Sequence, residues 1–320
     1  MRVMTRSLRP KTPNGSGRML SRAFAPYWKH RYLTLLLLPS LAMLIIFKYV
    51  PIYGLQIAFK NYRINQGIWG SPWAGLDIFR QLFNMPNFSI ALKNTLILGV
   101  FNLAASFPAQ IILALMLNEL ANARYKKLVQ TFSYLPHFIS WVTLSGLFLQ
   151  LLSPSTGPFA AIARLFGQTP YYFMGEVSTF RSVLVVTNIW KTVGWGSIIF
   201  LAALAGVDQE IYEAALIDGA TRFQRIRYIT LPSIAPTITI MLILRSGSIL
   251  NDNFDQVYNM TNAAVYSVTN ILGSLTYEMG IKNMKYSQST AIGLFRNVIS
   301  FALVIFTNQV AKRVNDYGIW

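Results

Sequence analysis

Lys48, Lys191, Arg245 and Arg296 are cations set inside long, otherwise apolar stretches. A cation at the centre of a bilayer costs roughly 2.5 to 3.5 kcal/mol even on the lenient insertion scale, so each needs a polar partner, an escape to the surface or a water-filled space. Lys191 and Arg245 each lie about ten residues inside their stretch, which at about 1.5 Å per residue puts both near mid-depth. Facing a cavity, they would attract an acidic solute. Their alternative role is to bond asparagines or backbone carbonyls within a helix bundle. Lys48 lies near the outer end of its stretch and is expected to snorkel to the interface, and Arg296 is intermediate. Asn188, Trp190, Thr192 and Trp195 surround Lys191 in sequence, and Asn251 and Asn253 follow Arg245. Indoles offer flat apolar faces and carboxamides offer donors and acceptors, the combination that sugars require. The same aromatic residues also serve as helix packing or interfacial anchors. His137, beside Pro136, reads as a packed residue rather than a proton relay.

Other chemistries lack material. The 320 residues include no cysteine and two histidines, which excludes disulfides, thiol catalysis and cysteine metal sites and leaves little for a metal centre. No phosphate-cradling G-x-x-x-x-G-K-[ST] loop is present, so nothing in the chain binds and hydrolyses ATP by the usual arrangement of backbone amides and lysine. The apolar stretches contain no Asp or Glu, which argues against proton-coupled secondary transport. No cluster of acids, histidines or nucleophiles stands at membrane depth, which argues against an embedded enzyme.

These residues are carried by a chain that is 53% hydrophobic and 12% charged, the balance of an all-α polytopic membrane protein. A helix needs about 20 apolar residues to cross a hydrocarbon core of about 30 Å. Six stretches qualify, near Leu33 to Phe59, Ala91 to Leu117, Leu128 to Leu152, Ser182 to Val207, Ile234 to Leu250 and Ala291 to Ala311. Lys48, Pro51 and Gly54 crowd the end of the first, which is expected to stop or bend near Tyr49. Residues 1–31 carry eight Lys or Arg and no acid, broken by Pro10, Pro13, Gly15 and Gly17, and read as a basic cytoplasmic tail. Residues 32–320 form one membrane domain. The first stretch is expected to be retained, since its apolar run begins late and continues at membrane length.

The formal charge of +17 reports orientation rather than nucleic-acid binding. With the tail inside, six crossings return the carboxyl terminus to the cytoplasm. The inside segments then carry about 16 Lys and Arg and the outside ones about 6, the asymmetry of the positive-inside rule. The stretches near 61–90, 153–180 and 251–290 are expected to face outward.

Between the fourth and fifth stretches, residues 208–232 read DQEIYEAALIDGATRFQRIRYITLP on the expected cytoplasmic side. Asp208 can cap a helix, Glu210 puts a negative charge in its first turn, and Gly219 can end it in a left-handed conformation. Thr221 can cap a second short helix that Pro232 would stop before the next span. Ala214 and Ala215 leave room for another surface to approach the backbone closely.

Glu213, Ala214, Ala215, Gly219 and then Ile229, Thr230, Leu231 and Pro232 reproduce the EAA motif at its full spacing, and the loop resembles that of membrane subunits of binding-protein-dependent ABC importers. The resemblance extends over nearly the whole chain and is greatest to the LplB branch of the maltose-type permeases. It is carried by Tyr49-Val50-Pro51-Ile52-Tyr53-Gly54 with Phe59 to Tyr62, by Phe88 with Ala91 to Thr95, and by Gly293 to Ile299 leading to Asn308 and a Gly318-Ile319-Trp320 end. It implies the type I importer permease fold, six transmembrane helices with a cytoplasmic coupling helix seated in a groove of an ATPase. Glu213 would meet a basic partner residue, the alanines would allow close packing, and Gly219 would make the turn.

The resemblance also implies partners: a second homologous permease, two ATPase subunits that hold ATP and magnesium, an extracytoplasmic solute-binding protein and the bilayer of the inner membrane. This chain itself would hold no cofactor. Members of the branch import neutral and acidic oligosaccharides, and the mid-depth cations point to an acidic one such as an alginate oligouronate. The alternatives are a neutral oligosaccharide or, from a different class, an ion-coupled secondary transporter.

Overall fold

The computed structural model describes residues 31–251, 253–315 and 318–319, so the basic tail expected over 1–31 lies outside the described residues except for Arg31. Two compact units are present, Met1–Gln56 and Ile57–Trp320. In the first, α1 (Arg31–Leu44) continues through a π turn at Ile45–Tyr49 into a 3-10 stretch, Val50–Phe59. The helix was expected to stop or bend near Tyr49, and instead it changes its winding there. Pro51 has no N–H for the ladder, and the hydrogen-bond register shifts around it. None of residues 31–56 is buried. An apolar surface on all sides is what a lipid-facing helix presents.

The second unit is built on α2 (Pro86–Asn118), α3 (Ala123–Tyr134), α4 (Trp141–Leu151), α5 (Val177–Ala205), the short α6 (Gln209–Ile217), α7 (Leu231–Ser246), α8 (Phe254–Met260) and α9 (Tyr286–Asn315). Among the described residues five helical runs are long and apolar enough to cross a membrane: Arg31–Phe59, Pro86–Asn118, Val177–Ala205, Arg222–Ser246 and Tyr286–Val314. A sixth is broken. Ala123–Phe138 and Trp141–Leu151 meet at 104°, where a single stretch near Leu128 to Leu152 was expected. Pro136 lies in a 3-10 turn, Leu135–Phe138, and Ser140 then caps α4 by accepting from the Thr143 amide at 3.2 Å. A missing N–H and a fresh N-cap within five residues end one helix and start another.

α2 and α5 form the central pair. Phe107 and Phe200 meet edge to face at 5.8 Å in a core that includes Ala114, Leu204 and Ile234. Glycines on α5 let it lie close to its neighbours: a Cβ at Gly194 would strike the Ser133 carbonyl on α3, and one at Gly196 would strike the Gln110 carboxamide on α2. Between α7 and α9 lie α8 and further short helices, Tyr266–Thr269 and Leu272–Tyr277. Asn94 on α2 pins this segment by donating to the carbonyls of Ser267 and Asn270 at 2.9 and 3.0 Å, while Arg181 on α5 donates to the Asn94 side chain at 2.7 Å.

Candidate functional site

A cavity of about 360 Å³ opens where α2, α5, α7 and α8 converge with the broken span. Asn102, Ser106 and Gln110 come from α2, Asn188, Thr192 and Trp195 from α5, and Arg245 from α7. Ser248, Asn251, Asn253 and Gln256 close it from the chain that follows, and His137 enters at the break.

The carboxamides are joined into a chain. Asn253 donates to Asn188 Oδ1 at 3.0 Å, and Asn188 donates to Asn102 Oδ1 at 3.1 Å. Gln256 donates to Thr187 Oγ1 at 2.8 Å and to the Leu184 carbonyl at 2.7 Å, fixing α8 against α5. Polar groups buried at this depth hold a unique arrangement only when partnered. The His137 and Trp195 rings stack at 4.5 Å with an interplanar angle of 2°. The Arg245 guanidinium is exposed and has no partner among the described residues. Together they offer stacking, hydroxyl recognition and one cation within a single space.

Of the seven residues expected along the path, five line this cavity: Asn188, Trp195, Arg245, Asn251 and Asn253. Trp190 and Lys191 do not. Asn188, Thr192 and Trp195 recur at i, i+4 and i+7 and share a face, whereas Trp190 is turned about 200° from Asn188 and packs on Phe148 at 5.6 Å. Lys191 is buried and donates to the carbonyls of Pro136 at 3.2 Å, His137 at 2.9 Å and Ile139. It takes the carbonyl-bonding role, not the cavity-lining one. Lys48 is exposed, and Arg296 donates to Asn251 Oδ1 at 3.3 Å. Asn102, Ser106 and Gln110 did not enter the expected site, although their i, i+4, i+8 spacing marks one polar stripe on an apolar helix.

The second feature is the segment 208–232. The Asp208 side chain accepts from the Glu210 amide at 3.0 Å and starts α6. At the other end Gly219, at φ +79°, closes a Schellman motif: its N–H reaches the Leu216 carbonyl at 3.1 Å, and that of Ala220 reaches Ala215 at 2.9 Å. Thr221 and Gln224 form a capping box. Glu213 and Ala214 are exposed and Ala215 is half-buried. Leu216, Ile217 and Phe223 are exposed beside them, at 56%, 88% and 76%.

The second half of the motif lies elsewhere. Arg222–Arg225, a π turn at Ile226–Thr230 and α7 form one helical run, so Pro232 does not stop a helix. It follows the π turn directly, and the register shift of that turn lets the run pass a residue without an N–H. Ile229 and Leu231 are half-buried and Pro232 is exposed.

Residues 102–316 match the family described as binding-protein-dependent transport system inner membrane component. The chain belongs to this family. Among its relatives, Protein LplB of Bacillus subtilis (strain 168) is 45% identical over 292 residues, covering 91% of this chain and 92% of that protein. The polygalacturonan/rhamnogalacturonan transport system permease protein YteP of the same organism is 41% identical over 292 residues, 91% of each chain. A chain of a bacterial alginate ABC transporter, crystallised in complex with alginate pentasaccharide-bound periplasmic protein, superposes with a TM-score of 0.85 at 38% identity. That match covers 94% of this chain and 99% of the other. The fold of this permease is therefore the type I ABC importer fold, with the cavity inside its helix bundle.

Proposed function

We propose that this permease is one of two membrane-spanning subunits of an ATP-driven importer that carries an acidic oligosaccharide. The observation that carries the solute class is Arg245, a cation without a counter-charge among the described residues, on the wall of a cavity that also holds the Asn253–Asn188–Asn102 chain and the stacked His137–Trp195 pair. A carboxylate entering such a space gains a charge-assisted bond, and the pyranose around it gains stacking and hydroxyl partners. YteP and the alginate transporter, named for polygalacturonan/rhamnogalacturonan and for alginate, support the same class.

The chain is a non-catalytic subunit, and ATP with magnesium is held by two separate ATPase subunits. Glu213, Ala214, Ala215 and Gly219 on and after α6 meet the ATPase, with Leu216, Ile217 and Phe223 supplying apolar contact that a soluble partner would cover. Ile229, Leu231 and Pro232 serve differently, by joining that contact to α7. A homologous second permease completes the pathway, and an extracytoplasmic binding protein delivers the solute. Both termini and residues 208–232 face the cytoplasm of a bacterium, in keeping with the cation asymmetry.

Reconstitution with the ATPase and the binding protein in proteoliposomes tests this. ATP-dependent uptake of labelled oligouronate, resistant to excess neutral malto-oligosaccharide, is expected. Uptake of the neutral sugar alone would favour a neutral solute, which stacking and carboxamides also suit. Uptake driven by an ion gradient without ATP would remove the proposal.

A further inference from the structure

His137 belongs to a backbone segment that cannot hold itself. Leu135–Phe138 is one 3-10 turn, α4 leaves it at 104°, and the helical ladder lapses between them. The Pro136 carbonyl accepts from the Ile139 N–H at 3.2 Å, whereas among the described residues no backbone donor reaches the carbonyls of His137 and Ile139, and in apolar surroundings such groups are costly to leave bare. Lys191 meets that need from α5. Its ammonium has three N–H groups, and they go to the carbonyls of Pro136, His137 and Ile139. The ammonium also lies 5.4 Å from the centre of the Trp141 ring. No carboxylate takes part: the one ion pair among the described residues is Arg80 with Asp77.

Four residues further along α5, Trp195 stacks on the His137 ring. α5 therefore grips a single residue of the break at two points one turn apart, by its carbonyl through Lys191 and by its ring through Trp195. The ring pair lies on the cavity wall, and Lys191 lies behind it.

We propose that Lys191 is a positioning residue for solute recognition, clamping the broken span so that the His137–Trp195 pair presents a fixed edge to the cavity. It touches no solute. This assignment rests on the reading of the cavity as the solute path, and its test separates the two. A lysine that merely stabilised the bundle would change how much transporter assembles but not how tightly an assembled transporter takes its solute.

The absence of cysteine from the chain allows a clean probe. In the full chain, assembled with its partner subunits, the double substitution His137→Cys and Trp195→Cys is expected to be joined readily by a bis-methanethiosulfonate cross-linker that spans the space the two rings leave. Adding Lys191→Met is expected to slow that reaction at least fivefold, and Lys191→Arg, which keeps the charge and several donors, to restore most of it. An unchanged rate with Lys191→Met overturns the clamp, whatever the solute. With both rings in place, Lys191→Met is expected to raise the KM for oligouronate at least fivefold while Vmax per assembled complex stays within twofold. A fall in Vmax at unchanged KM overturns the positioning role. If Lys191→Met does not assemble, Lys191→Gln, with two amide donors and no charge, is read by the same cross-linking, and a wild-type rate there overturns the proposal too. Failure of the unaltered transporter to take up any oligouronate counts against the solute reading alone, since cross-linking reads the clamp without solute.

Discussion

The Tyr212 hydroxyl lies 2.9 Å from Thr230 Oγ1, so the middle of α6 is bonded to a buried residue of the helical run that becomes α7. Thr230 also bonds the Arg225 carbonyl at 3.3 Å. The contact joins the exposed EAA face to a membrane helix by a side chain rather than by the loop between them. Replacing Tyr212 by Phe removes one neutral hydrogen bond, worth about 1 kcal/mol net, or roughly fivefold in an equilibrium. The expected outcome is a severalfold rise in ATP hydrolysed per solute imported, with assembly and ATPase rate retained, measured in proteoliposomes.

Gly219→Ala places a side chain at φ +79° with nothing within 4 Å of the new Cβ, so the cost is purely conformational and is about 1 to 2 kcal/mol. Weaker retention of the ATPase is expected in a pull-down. Gly219→Asn, which tolerates the left-handed region better, is expected to be milder.

Arg245→Gln keeps a donor and removes the charge. A charge-assisted bond is worth about 1.5 to 3 kcal/mol, so the KM for an acidic oligosaccharide is expected to rise by roughly tenfold or more. Uptake of any neutral sugar that the transporter accepts should be unaffected. Concentration-dependent uptake of both solutes checks the difference.

Gly194→Ala and Gly196→Ala are expected to behave differently although two residues apart. The first drives a methyl into the Ser133 backbone, which cannot move aside, and is expected to destabilise by roughly 1 to 3 kcal/mol. The second meets the end of the Gln110 side chain, which can swing away. Thermal unfolding in detergent should show a lowered midpoint for the first and a near-normal one for the second, with altered solute affinity because Gln110 lines the cavity.

What the sequence disclosed was whatever is decided locally. The caps of α6 at Asp208 and Gly219 and the start of the next helix at Thr221 are set by residues within a few positions of one another, and all three form as their types require. The apolar stretches are equally local, and five appear as continuous helical runs. The direction in which a mid-span cation points is not local. Lys191 and Arg245 have the same depth and similar neighbours in sequence, yet one reaches carbonyls more than fifty residues away and the other faces the cavity. The deciding feature was the break after Pro136, where the carbonyls of His137 and Ile139 create the demand that Lys191 meets. Pro232 misled for a related reason: the π turn before it shifts the hydrogen-bond register, so the helical run passes through the proline instead of ending there.

A nine-residue helix in isolation would be mostly melted, because nucleation is costly and helices shorter than about 12 to 15 residues are marginal in water. α6 is sealed at both ends by Asp208 and the Gly219 turn and bolted at mid-length through Tyr212, with no slack residue between the seals. Such an element would act as a stiff peg: a sideways push on its outer face would tilt the whole piece and pass to α7 through the Tyr212–Thr230 bond, where a floppy loop would dissipate the load.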